Sequence, residues 1–197
     1  MDALLVYKRL LTAVLFPDKQ EKALKILTHP SGKGNMQILH LQYDLTCNCH
    51  PYDYKKQLEF LEPLRLSEYW MSPQLKLEYA ILLFQTGRAN EGDKAFQSLR
   101  RLWQTSEQFV HVPERLRWLR IPDNSTTPQV VKATTGPEYG TRAFAAVREF
   151  ANARVPFRPE EHGLADSRPG LSLSCYVSFG HNGPFLRPLS AKPPSIE

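Results

Sequence analysis

The sequence predicts an α+β protein, with helical hairpins in its first half and a small β domain in its second. Three observations carry that reading. A pattern of apolar residues recurs three times before residue 105, the composition changes after Trp103, and near the C-terminus apolar residues alternate with polar ones between strong turn formers. Helices need a period near 3.6 residues and strands a period of two, so the halves demand different secondary structure.

The repeat is clearest when three segments are aligned without gaps: Gln20 to Leu27, Tyr54 to Leu61 and Gly92 to Leu99. Leu24, Leu58 and Phe96 then coincide, as do Leu27, Leu61 and Leu99, and the three-residue step between the sets is that of a buried helical stripe. The offsets of 34 and 38 residues, applied upstream, superpose Leu5, Leu39 and Leu77, then Tyr7, Leu41 and Tyr79, then Leu11, Leu45 and Leu83. Each unit therefore reads as helix, turn, helix, with tips at Phe16-Pro17-Asp18, His50-Pro51-Tyr52-Asp53 and Thr86-Gly87-Arg88. Such hairpins bury their apolar faces by stacking, and about three are needed for independent stability. The array opens directly on apolar Leu4, Leu5, Leu11 and Leu15, which predicts a cover from a preceding domain or a partner.

The third unit, Leu75 to Trp103, resembles a tetratricopeptide repeat, with small Ala80 in the first helix, Gly87 at the turn, and Gly92 and Phe96 in the small and core positions of the second. Lys76 replaces the family's large aromatic, and the Pro that usually ends the unit is absent. The resemblance covers about residues 1–105 and implies a surface for a protein or peptide partner.

After Trp103 the helical pattern stops, and most of the prolines lie beyond residue 109. Residues 109–127 mix a strand-like Val110-His111-Val112-Pro113 with an ambiguous run from Glu114 to Arg120, and are read as a connector. Farther on, Leu173, Cys175 and Val177 alternate toward one face, Gly180 to Pro184 makes a turn in which Asn182 and Gly183 both tolerate positive φ, and Leu186 and Leu189 lie on the return.

Residues 128–190 resemble a cold-shock domain, a small β-barrel of the oligonucleotide-binding (OB) type. Ala143 to Val147 stands at that family's first nucleic-acid-binding strand motif, Val155-Pro156-Phe157-Arg158 at the second, and the final strands match in spacing. The whole is thus expected to be a hairpin array over 1–108, a connector over 109–127, a C-terminal small β-barrel over 128–190 and a disordered Lys-Pro-Pro-Ser-containing tail over 191–197.

The resemblance implies that Phe144 stacks on a base while Arg142 and Arg158 contact phosphate, because such barrels hold single strands on exposed rings flanked by basic groups. The aromatic set is thin: Ala146, Pro156 and Pro159 stand where the family has rings, and Arg158 stands for its His. Each missing platform removes about 1–3 kcal/mol of stacking. Arg148 and Arg154 add charge, whereas Glu149, Glu160 and Glu161 are potential ion-pair partners, and an acid on the same face as Phe144 and the arginines disfavours phosphate.

No catalytic constellation emerges. The chain's 25 Lys and Arg against 20 Asp and Glu give +5 without a basic run, which permits nucleic acid but does not demand it. Cys47-Asn48-Cys49-His50 has metal-ligand types but lacks a second pair of ligands, so no metal or other cofactor is expected. Gly32-Lys33 lacks the spacing of a phosphate loop, the six histidines are not spaced with a nucleophile and acid, and Glu160-Glu161-His162 reads as a solvated loop. Three cysteines make no disulfide framework, and Lys8 and Arg9 break the N-terminal apolar stretch, so a cytoplasmic protein without a membrane span is expected. The functional expectation is a non-enzymatic interaction module or adaptor. The alternative is a weak single-stranded RNA- or DNA-binding regulator.

Overall fold

The computed structural model describes residues 19–21, 23–24, 36–66, 72–105, 110–122, 126–137, 143–164 and 168–191. The expected first helix of the first hairpin, the Gly32-Lys33 loop, Arg142 and residues 192–197 of the tail lie outside them. Helices precede a five-stranded antiparallel, nearly closed barrel-like sheet, so the fold is α+β. Among the described residues no helix is long and apolar enough to cross a membrane.

The chain divides into two compact units, 1–71 and 72–197. In the first, α1 (Met36–Cys49) and α2 (Tyr54–Arg65) form the second hairpin. Asp53 starts α2 by accepting the amide of Lys56 at 3.1 Å, filling one donor that a helix N-terminus leaves open. Leu45, Leu58, Leu61 and Leu64 are buried, which places the repeat's apolar stripe in the core. Gln57 donates to the carbonyls of His50 and Pro51, both at 3.0 Å, and holds the tip closed.

In the second unit, α3 (Pro73–Gln85) and α4 (Ala89–Thr105) form the third hairpin. Ser72 caps α3 through the amide of Leu75, with Pro73 in the first turn where its missing N–H does no harm. Gly87 takes φ 81°, the left-handed turn that ends the helix. Helix packing at Gly92 is so close that an added Cβ would lie 2.5 Å from the Phe84 ring.

The sheet contains β1 (Val130–Thr135), β2 (Ala143–Val147), β3 (Ala153–Phe157), β4 (Ser172–Gly180) and β5 (Gly183–Pro188). Their order is β3-β2-β1-β4-β5, and the outer strands β3 and β5 adjoin, which nearly closes the barrel. Alternation puts Val131, Ala133, Ala145, Val147, Val155, Cys175, Val177 and Leu186 inside. The β4–β5 turn centres on His181 and Asn182 between paired Gly180 and Gly183. Gly183 has φ 121°, but Asn182 does not take the positive φ expected of it.

Two expectations change here. The boundary between compact units falls at 71/72 instead of 108, because the third hairpin packs into the sheet: Phe84 has ring contacts with Phe96, Phe150 and Phe179 at 6.0, 4.9 and 5.6 Å. The supposed connector is also built into the unit. Glu114–Leu116 is a 3-10 turn, Trp118 bridges Ser178, and the Leu119 amide donates to Val177 at 2.9 Å. The Gln85 side chain fastens this segment to α3, donating to Trp118 O at 2.7 Å and accepting the Arg120 amide at 3.1 Å. Glu78 pairs with Arg115 nearby, away from most solvent.

Candidate functional site

Along β2 the residues alternate, with Ala143, Ala145 and Val147 buried and Phe144 and Ala146 half-exposed. Phe144 lies opposite Pro156, and Ala143 opposite Phe157. Arg158 follows β3 in extended conformation, which puts it on the outer face diagonal to Phe144. Register therefore brings two of the three sequence-predicted residues together; the third, Arg142, is outside the described residues.

Arg158 is not an isolated cation. Its Nη1 lies 3.3 Å from one Glu161 oxygen, and the other Glu161 oxygen receives Arg187 Nη1 at 3.0 Å. Glu149, the second acid at issue, accepts the Lys132 amide through both oxygens, at 3.1 and 3.2 Å.

Glu161 is held in place by local structure. Pro159 opens a 3-10 turn over Pro159–His162, so the Glu-Glu-His segment is an ordered turn instead of the expected solvated loop. His162 sets its ring edge-on to Phe157 at 5.5 Å, and its Nε2 is buried with no hydrogen-bond partner among the described residues. Burial lowers the His162 pKa below the ordinary histidine value, opposed by a hydrogen bond with the Leu186 backbone and by the Glu161 charge. The imidazole thus favours its neutral form beside an acid engaged by two arginines.

The cysteines offer no better chemistry. Burial pushes the Cys175 thiol up to about 11, with the charge of Glu149 adding to the effect, so it stays protonated at neutral pH. Cys47 and Cys49 sit two residues apart on α1, a spacing that turns them to different sides of the helix. The Cys49 thiol is also raised, first by burial and then by Glu21, against a lowering by Lys56. No group of three or more potential metal ligands occurs among the described residues.

A second feature of the outer sheet was not expected from sequence. A cleft of about 560 Å³ lies against the β4–β5 turn, lined among others by Arg117, Trp118, Pro156, His181, Phe185 and Arg187. Trp118 is 9% exposed, meets Tyr176 edge-on at 6.3 Å, and has an indole N–H with no acceptor among the described residues. Arg187 lies over the Phe185 ring at 4.9 Å and donates from Nε to Ser178 Oγ at 3.4 Å. Reading 109–127 as a connector hid Arg117 and Trp118. Their signal was the apolar Leu116, Trp118 and Leu119, all buried in the fold.

Against known proteins, no family model matches the chain, and no curated protein or solved structure proves similar to it.

Proposed function

We propose that the chain is a non-enzymatic polypeptide-interaction module, built of tetratricopeptide-like hairpins and a barrel of the OB type. The strand order with adjoining outer strands supports the OB reading, and the recurring buried stripe with a close-packed Gly92 supports the repeat reading. Cys47, Cys49 and Cys175 are not in disulfides, which fits a cytoplasmic setting.

One observation carries the preference for protein over nucleic acid: Glu161 is shared by Arg158 and Arg187. Strand affinity in OB-type barrels comes from phosphates neutralised by cations and from bases stacked on open rings. Here a carboxylate stands between the two arginines and repels phosphate, Arg187 covers the Phe185 ring, and Phe144 has Pro156 opposite it instead of another ring.

Fluorescence anisotropy of short single-stranded RNA and DNA, titrated with the full chain across a salt series, tests the reading. The expected result is no salt-sensitive binding at low ionic strength. Binding that both Phe144→Ala and Arg158→Ala weaken would establish the regulator reading instead.

A further inference from the structure

We propose that His162 is an acid-sensitive latch across the seam between β3 and β5: as a neutral imidazole it helps hold the barrel closed, and on protonation it lets the seam part. The inference goes beyond the interaction reading above and does not depend on it.

β3 and β5 stand at the two ends of the strand order, so among the described residues the barrel closes between them without a ladder of paired residues. Pro156 in β3 and Pro184 and Pro188 in β5 have no N–H to give to such a ladder. Pro156, Pro184, Phe185 and Arg187 instead line one cleft of about 560 Å³, so the two strands are parted there. Closure falls to the 3-10 turn Pro159–His162. Glu161 accepts Arg187 Nη1 of β5 at 3.0 Å and Nη1 of Arg158, at the end of β3, at 3.3 Å. His162 sets its ring edge-on to Phe157 of β3 at 5.5 Å and shares a hydrogen bond with the Leu186 backbone of β5. Phe157 and Leu186 are both buried, so this turn covers the barrel interior where no ladder does.

A neutral imidazole offers one donor and one acceptor, whereas the imidazolium has two donors. Nε2 is buried without a partner among the described residues, so a proton there places a charged N–H in a site that offers it no acceptor. Burying a charged donor without a partner costs far more than leaving an acceptor unmatched. Turning the ring out to water relieves that cost and gives up the contacts with both Phe157 and Leu186. Among the described residues, the charged groups on the elements packed around the ring are Arg154 in β3, Arg158, Glu160 and Glu161 in and beside the turn, and Arg187 in β5. The Glu161 charge favours the imidazolium, but that carboxylate is shared by Arg158 and Arg187, which offset its pull. Burial outweighs it, and the ring gives up its proton more readily than an ordinary histidine.

The test is native-state amide exchange of the 15N-labelled full chain at neutral pH and at pH 5, with each rate referred to unstructured-chain exchange at the same pH. Protection in β3 and β5 is expected to fall about tenfold at pH 5, while the β1–β4 ladder keeps its protection. The His162 ring, followed by 13C shifts in the same chain, is expected to titrate below the ordinary value of about 6.5. His162→Asn, neutral throughout, is expected to abolish the loss at the seam. His181→Asn, in the β4–β5 turn, is expected to leave it unchanged. Protection that is the same at both pH values, an equal loss in His162→Asn, or a loss spread evenly over all five strands overturns the proposal. A ring midpoint at or above about 6.5 in the parent chain also overturns it, whether or not the variant folds.

Discussion

The hairpins α1–α2 and α3–α4 follow one apolar pattern yet end in different compact units. Leu58 and Phe96 hold equivalent positions in the repeat, and both are buried. Leu58 belongs to the helical unit 1–71, whereas Phe96 lies against Phe84, and a Cβ added at Gly183 of β5 would meet its ring at 3.6 Å. Periodicity records that a helix face is buried; it does not record what covers it. The difference lies in α3, where every residue from Leu77 to Gln85 is buried, more than one hairpin face requires.

Substitutions at the equivalent positions break this comparison most strongly. Phe96→Ala is expected to cost about 3–5 kcal/mol and Leu58→Ala about 2–5 kcal/mol. Hydrogen exchange should show the first loosening α3, α4 and β4–β5, and the second confined to α1–α2. Protection of β4–β5 unchanged by Phe96→Ala would mean that hairpin and sheet are independent. Gln85→Ala tests the same seam with a smaller effect. It removes two buried hydrogen bonds to the 118–120 backbone and is expected to cost about 1–3 kcal/mol in urea unfolding.

The acid response sharpens the picture on the sheet side. The folded-state pKa of His162 is depressed, so the unfolded chain binds a proton more readily than the folded one. Stability from this group is present above the ordinary histidine pKa of about 6.5 and is lost as pH falls from there through the folded value. Melting temperatures measured between neutral pH and pH 5 should fall less for His162→Asn than for the parent; equal slopes would remove His162 as the cause. The smallest effect concerns reactivity alone. Native protein treated with a thiol reagent at neutral pH should label Cys47 and Cys49 before Cys175, whose thiol is both buried and raised to about 11. Early labelling of Cys175 would show that the barrel interior opens.

Helices, strands and their inward faces were legible because burial follows period in both secondary structures. Phe144 and Arg158 on one outer face were legible for the same reason. The Glu161 link was not, since Arg187 lies 26 residues from it in sequence and alternation does not specify cross-barrel partners. The cleft was missed because its Arg117 and Trp118 come from a segment whose strand-like pairing depends on β4 and on Gln85. Arg142 and the expected first hairpin helix remain sequence readings outside the described residues.

The central claim is that the Phe144–Arg158 surface, whose arginine is paired with Glu161, does not hold a nucleic-acid strand. It is tested most directly by NMR titration of the 15N-labelled full chain with a deoxythymidine dodecamer at low salt. The account predicts that the amides of Phe144, Phe157 and Arg158 stay unmoved. Salt-sensitive shifts centred on those residues would contradict it.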